Sequence, residues 1–238
     1  MYNQNDSINI AYNYIQGLRS SGHTYNGYGV YNVTKDDLKA LFDISDKYGI
    51  PGEWMVNLMN FESGRTFNPA IQNSIGATGT IQFMPSTARG LGTTTDALKK
   101  MTFKQQLSYV DRYLYDNLRS HLTINGKIPS NFTQADLYMT IFYPAAIGRP
   151  DYVFPASVQS ANAGIAKPSD YANKALAVAV FPLSMIPYSL AEFNKKYGNV
   201  VTYVKRNWLV LLIGIILLII AILLFAFRKQ EAAYIAAA

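Results

Sequence analysis

Apolar residues recur at helical spacing along most of the first 170 positions. Near the start they fall at Ile8, Tyr12, Ile15 and Leu18, which predicts an amphipathic helix followed by a loop rich in Gly, Tyr and Asn up to position 33. Three later segments open with a threonine that is followed three residues on by Asp or Gln, the pattern of a helix capping box. These pairs are Thr34 and Asp37, Thr102 and Gln105, and Thr133 and Asp136, the last opening a helix predicted to run to Tyr143. The pattern predicts a mostly helical chain.

A short apolar helix that ends in a carboxylate stands out among these segments. Pro51 suits its first position, and Trp54, Leu58 and Phe61 form one buried stripe. Glu62 lies one turn past Leu58, at the edge of that stripe. A carboxyl group beside aromatic rings loses the water that stabilises its anion, so we expect a raised pKa and a proton held near neutral pH. Such a group can act as a general acid. Taken alone, such a residue is more often a helix-end glutamate that bonds to a nearby loop.

The residues that follow this helix decide between the two interpretations. Ser63 comes next, and a glycine-rich turn leads into a glutamine further along the chain. The stretch resembles the soluble lytic transglycosylase family, goose-type lysozyme relatives included, in which a helix ends in Glu-Ser and a Gly-Ala-x-Gly-x-x-Gln hairpin follows. The matching residues are Glu62, Ser63, Gly76, Ala77, Gly79 and Gln82. The resemblance implies an α+β lysozyme-like domain with a small β-hairpin, in which Glu62 is catalytic and the other five bind the sugar.

The chemistry of the glycine turn agrees with that role. Gly76 and Gly79 permit positive φ, and their missing side chains let the backbone approach a flat sugar ring. Gln82 offers a donor and acceptors, as an N-acetyl group or a peptide amide requires.

A third part of the resemblance comes late in the chain. Family members carry a Tyr-Asn-Ala-Gly-x-Gly-Arg segment across the cleft, and this chain matches it at Tyr143, Ala145, Gly148 and Arg149. It departs at Pro144, where the family has the asparagine that often contributes to sugar binding. Tyr143 is expected to contact the substrate and to position Glu62 through its hydroxyl. Further weak similarity to phage virion murein-degrading domains covers Phe154-Pro155, 162–165 and Ser169-Asp170-Tyr171.

A two-carboxylate glycosidase needs a second acid, and none occurs from Ser63 through Thr95. With one carboxylate, the substrate can supply the nucleophile through its N-acetyl oxygen or its C6 hydroxyl. The resemblance implies the second route, which closes a 1,6-anhydro ring on the muramic acid while Glu62 first gives and then takes a proton. One alternative interpretation is a muramidase that hydrolyses the same bond, with Asp96, Asp111 or Asp136 as its second catalytic acid. Another is an inert wall-binding or virion structural protein.

Composition narrows the remaining classes. The chain has no Cys and only two histidines, His23 and His121, which excludes thiol catalysis, disulfides and thiolate zinc sites. A metal site is not expected on two histidines so far apart in the chain, and no organic cofactor is implied. The formal net charge of +6 suits an anionic partner. Because the Lys and Arg residues are scattered and no nucleic-acid fold signature accompanies them, we expect peptidoglycan rather than nucleic acid.

The C-terminal region carries a second strong pattern. Residues 208–227 are apolar without a charge and are bracketed by Lys205-Arg206 and Arg228-Lys229, which predicts a single transmembrane helix. The start of the chain lacks a signal-peptide pattern. Carriage within the internal membrane of a virus particle, alongside other virion membrane proteins, would bring the domain to the wall, as in the virion-associated transglycosylases of membrane-containing phages to which the chain is similar. A bacterial inner-membrane enzyme facing the periplasm is the competing interpretation.

The predicted organisation has five parts: an N-terminal helix and loop (1–33), the transglycosylase domain (34–168), a juxtamembrane arm (169–207), the transmembrane helix (208–227) and a short tail (228–238). The arm is expected to take no part in the cleft, because every predicted site residue precedes Pro150.

Overall fold

Helices dominate residues 3–182, the part of the chain that the computed structural model describes. The elements are α1 Gln4–Ser20, β1 Thr24–Tyr25, β2 Tyr28–Gly29, α2 Lys35–Tyr48, α3 Gly52–Glu62, α4 Pro85–Gly90, α5 Thr95–Lys99, α6 Phe103–Leu118, α7 Gln134–Phe142, a 3-10 turn Pro144–Ala146, α8 Ala156–Ala161 and α9 Pro168–Leu176. The mostly helical prediction is confirmed for this range.

All three predicted capping boxes form. In each, the threonine hydroxyl accepts from the backbone N–H three residues on, and that residue's side chain accepts from the threonine backbone N–H. They open α2, α6 and α7, so local sequence sets where these helices begin. Helix α7 ends at Phe142, one residue earlier than predicted.

The regular β-hairpin lies elsewhere than predicted. Strands β1 and β2 pair antiparallel within the segment predicted as an N-terminal loop, and they are joined by Asn26 and Gly27, both at positive φ. An Asn-Gly pair favours a tight hairpin turn for this reason. The glycine turn has no regular strands and instead closes through two isolated bridges, Gln72 with Thr78 and Thr78 with Phe83.

Helix α3 lies at the centre of the fold. Its residues from Gly52 to Asn60 are all buried, and helices α1, α2, α7 and α9 pack against it. A helix surrounded by neighbours has no solvent face, which explains why apolar residues occur on every side of it. At its start, a side chain on Gly52 would place Cβ 2.2 Å from the Phe42 ring, so glycine permits the close packing of α2 on α3.

The predicted transmembrane helix (208–227), the tail (228–238) and the arm from residue 183 onward lie outside the described residues. Among residues 3–182, no helix is both long and apolar enough to cross a membrane.

Candidate active site

Glu62, the last residue of α3, meets an aromatic wall built by α9 and α7. The Tyr171 hydroxyl of α9 donates a hydrogen bond to Glu62 Oε1 at 2.5 Å. The Tyr171 ring packs edge-on against Phe61, with centroids 5.3 Å apart, and stacks on Phe142 at 4.3 Å. Rings therefore fix the position of the hydroxyl that holds the carboxylate.

These surroundings set the protonation of Glu62. Burial raises its pKa from 4.5 to about 7, and the hydrogen bond from Tyr171 offsets part of that rise because it stabilises the anion. The residue as a whole is nevertheless only partly buried. The predicted rise in pKa is confirmed, and Glu62 can hold a proton near neutral pH while remaining within reach of a ligand.

Two further tyrosines lie close enough to sense the Glu62 charge. Burial raises the pKa of Tyr113 to about 12 and that of Tyr138 further still, and the Glu62 carboxylate adds to both shifts. Tyr138 belongs to α7, and its ring centroid is 6.1 Å from that of Tyr171. Tyr113 belongs to α6, so Glu62 faces phenol groups from three helices. All three remain neutral at physiological pH.

The Asp residues considered as a second catalytic acid have other partners. Asp96 is exposed beside Lys99, and Asp111 accepts from Lys47 and from the Tyr48 hydroxyl. Asp136 caps α7 and also accepts from the backbone N–H of Gly148 at 2.6 Å. None of the hydrogen bonds or ion pairs within residues 3–182 joins any of these three to Glu62.

Ser63 shapes the turn after Glu62. Its side chain is fully buried, and its hydroxyl donates to the Met59 carbonyl at 2.6 Å and accepts from the Phe67 N–H at 2.8 Å. The sequence predicted a substrate contact for Ser63, but both hydrogen bonds point inward and no part of the side chain is exposed. We therefore assign Ser63 to holding the turn.

The glycine turn adopts the predicted backbone conformation, with φ of +83° at Gly76 and +87° at Gly79. Ala77 is buried within it. Gln82 also has positive φ, and its Nε2 donates to the Gly79 carbonyl at 3.0 Å, whereas its amide oxygen makes no hydrogen bond within residues 3–182. That oxygen is available to a ligand. Phe83, the next residue, packs edge-on against Tyr113 at 5.9 Å, which places the end of the turn near the Glu62 surroundings.

A buried glutamine of α6 that the sequence did not single out supports the turn. Gln106 Oε1 accepts from the Thr80 N–H at 2.9 Å, and its Nε2 donates to the Pro69 carbonyl at 3.0 Å. A Cβ on Gly79 would lie 2.5 Å from that same Oε1. Glycine is therefore required at this position by both its φ and the close approach of Gln106.

The predicted role of Tyr143 in positioning Glu62 is corrected. The Tyr143 hydroxyl lies 3.3 Å from the Tyr152 hydroxyl, and its ring packs against Phe154 at 5.3 Å. The cause is that α7 ends at Phe142, whose ring stacks on Tyr171. The backbone of Tyr143 is not helical, and its side chain turns toward Tyr152 and Phe154. The partner of Glu62 is Tyr171. Substrate contact by Tyr143 stays a prediction.

Tyr171 lies within the segment predicted as an arm outside the cleft. The expectation that this arm takes no part in the site was therefore wrong. The only signal in the sequence was the Ser169-Asp170-Tyr171 similarity, which named the segment without giving the tyrosine a role.

Comparison with known proteins points to the same chemistry. The model of the transglycosylase SLT domain matches residues 39–109, which include α3, Glu62 and the glycine turn. The searches of curated proteins and of solved structures found no match. The match supports the lysozyme-like lytic transglycosylase family for this segment, and the chain is an enzyme of the kind that acts on peptidoglycan. Tyr113, Tyr138, Tyr143 and Tyr171 all lie beyond the matched segment.

Proposed function

We propose that this chain is a lytic transglycosylase that cleaves the β-1,4 bond between N-acetylmuramic acid and N-acetylglucosamine with Glu62 as its single catalytic carboxylate. The supporting observation is the placement of Glu62: a helix-end carboxyl with a pKa of about 7, held by one tyrosine hydroxyl, on a residue that is only partly buried.

The reaction follows from that placement. Protonated Glu62 donates its proton to the glycosidic oxygen, the bond from that oxygen to C1 of the muramic acid breaks, and positive charge develops at C1. Tyr171 then stabilises the Glu62 anion. The carboxylate next takes the proton from the C6 hydroxyl of the same sugar as O6 bonds to C1, which restores the acid and yields a 1,6-anhydro end.

The glycine turn supplies the adjoining binding surface in this proposal. The free amide oxygen of Gln82 would accept from an N-acetyl N–H, and the backbone at Gly76 and Gly79 would approach the sugar ring. Tyr143 would add a contact from the side of α7.

Product analysis tests this proposal directly. Purified sacculi digested with the full chain are expected to release muropeptides that end in 1,6-anhydromuramic acid, as measured by mass spectrometry. Predominantly reducing ends would replace the proposal with a muramidase. An unrelated muramidase that digests the same sacculi serves as the positive control. If this chain leaves those sacculi intact, the inert wall-binding protein is favoured.

Membrane anchoring and a virion role are further parts of the proposal. The apolar run at 208–227 and its flanking Lys and Arg residues support a single C-terminal anchor. The similarity of Phe154-Pro155, 162–165 and Ser169-Asp170-Tyr171 to phage virion murein-degrading domains supports carriage in a lipid-containing particle, where other virion membrane proteins would be neighbours. Detection of the chain in purified particles by mass spectrometry, and its absence after the lipid is removed, is the expected result.

A further inference from the structure

Two asparagines interrupt the buried surface of α3. Asn57 and Asn60 lie three residues apart, hence on one face of the helix, and both are fully buried. Burying an amide is costly unless it is hydrogen-bonded, so each needs a partner inside the fold. Their partners explain why polar residues stand at the centre of this domain.

Both asparagines bind the backbone of the segment that follows α9. Asn57 Oδ1 accepts from the Phe181 N–H at 2.9 Å, and Asn57 Nδ2 donates to the Phe181 carbonyl at 2.9 Å. Asn60 Nδ2 donates to the Val178 carbonyl at 2.6 Å. An asparagine amide carries a donor and an acceptor, so Asn57 satisfies both main-chain groups of one residue, as a neighbouring β-strand would. We call residues 177–182 the strap.

The strap continues the contact between α9 and the end of α3. Tyr171 binds Glu62, Val178 binds Asn60 and Phe181 binds Asn57, so the later part of the chain descends along α3 toward its start. The Phe181 side chain is itself fully buried. One continuous stretch, from Tyr171 to Phe181, is thereby fixed to the helix that carries the proposed acid.

We propose that the strap belongs to the active site, and that Asn57 and Asn60 are positioning residues that hold α9, and with it Tyr171, against Glu62. This inference rests on the proposed function of Glu62. It extends the catalytic unit to residue 182, beyond the segment that matches the transglycosylase model and beyond the boundary at 168 predicted from sequence.

Release of the strap is expected to change the pKa of Glu62, which a general loss of stability would not do. The titratable groups that face it are Tyr171 on α9, Tyr138 on α7 and Tyr113 on α6, all neutral near pH 7. If the strap is released, α9 moves away from α3 and water reaches the carboxyl. Since burial is the larger influence on Glu62, its pKa falls even though the Tyr171 hydrogen bond is lost as well.

The test compares Asn57→Ala and Asn60→Ala with Leu41→Ala in the full chain. Leu41 is fully buried on α2 and is distant from the strap in sequence, so its truncation serves as a purely destabilising control. We expect both asparagine variants to lower kcat by about 10- to 100-fold. We also expect them to move the alkaline limb of the pH profile of kcat/KM to lower pH by at least about one unit. Leu41→Ala is expected to lower Tm and leave that limb in place.

Hydrogen exchange gives a second measurement in case a variant does not fold. The Phe181 amide of the wild-type chain is expected to exchange slowly because its N–H donates a hydrogen bond to Asn57 Oδ1. Exchange as fast as in an unstructured peptide would overturn the inference without any variant.

The two proposals fail in distinguishable ways. If Glu62→Gln is inactive but both asparagine variants keep the wild-type kcat and the wild-type alkaline limb of kcat/KM, only the role of the strap is overturned. An active Glu62→Gln variant would overturn the proposed function, whatever the asparagine variants do.

Discussion

The hydroxyl of Tyr171 lies 2.5 Å from Oε1 of Glu62, although the two residues are 109 positions apart in the chain. The hydrogen bond stabilises the Glu62 anion, whereas burial stabilises the neutral acid. A group that must donate a proton and then recover one needs both forms within reach, and the balance near pH 7 provides this. One carboxylate can therefore serve both steps of the proposed reaction.

Glu62→Gln is expected to lower the rate of sacculus clearing by at least about 100-fold, because general acid–base catalysis contributes on this order. The variant should fold, since the amide oxygen of Gln can still accept from Tyr171. Turbidity of a sacculus suspension measures the rate. Glu53→Gln is the matched control: Glu53 is also buried on α3 and accepts from Ser7, but it lies nine residues earlier, on the opposite face. Clearing by Glu62→Gln at more than about a tenth of the wild-type rate would exclude it as the acid.

Tyr171→Phe is expected to move the alkaline limb of kcat/KM upward by about one pH unit, because the ring still keeps water out while the bond that stabilises the anion is lost. The pH dependence of muropeptide release measures this. Tyr152→Phe removes a hydroxyl that contacts Tyr143 instead of Glu62 and should leave the limb unmoved. A limb that stays in place or moves to lower pH in Tyr171→Phe would contradict the assigned role of this hydroxyl.

Glu62 is expected to make stability depend on pH. Its carboxyl titrates near 4.5 when unfolded and near 7 when folded, so the folded state holds the proton more tightly. The resulting stability is fully present below pH 4.5 and is lost as pH rises through 7, at most about 3 kcal/mol by pH 8.

The Gln side chain of Glu62→Gln does not titrate, so the variant should not lose stability as the pH rises. The free energy of unfolding of the variant, measured by urea titration, should match wild type near pH 4 and exceed it by up to about 3 kcal/mol at pH 8. A difference that is the same at both pH values would mean that Glu62 is not buried as described.

Gly64→Ala is expected to disturb the turn behind Glu62. Gly64 has φ of +57°, and a Cβ there would lie 2.2 Å from the Tyr25 ring. Gly92 also has positive φ, +74°, but has nothing within 4 Å, so Gly92→Ala carries only the backbone strain of about 1 to 2 kcal/mol. We expect Gly64→Ala to lower Tm more than Gly92→Ala and, unlike it, to slow clearing. Equal losses of Tm and activity would show that the Tyr25 contact has no effect.

The full chain is expected to sediment with membranes and to resist salt and carbonate washes, because an apolar run as long as 208–227 inserts stably into a bilayer. A chain shortened before Lys205 should be released and still cleave peptidoglycan, since it keeps Glu62, Tyr171 and the strap. Extraction of the full chain by salt alone would rule out the anchor.

Local interactions let the sequence predict much of the fold. The capping boxes at Thr34, Thr102 and Thr133 form as predicted, because each joins residues three apart. The apolar stripe of α3 and the positive φ of Gly76 and Gly79 also follow from short-range spacing and from steric freedom at glycine.

The partners of Glu62 and of the glycine turn could not be predicted in this way. Tyr171 reaches Glu62, Phe181 reaches Asn57 and Gln106 reaches the turn only after the helices have packed. The sequence by itself determined that the acid ends a helix, and it determined that an apolar stripe lies beside that acid. Tertiary packing decided which tyrosine holds it, because helix ends and ring stacking, rather than proximity in sequence, placed Tyr171 against the carboxylate and turned Tyr143 away.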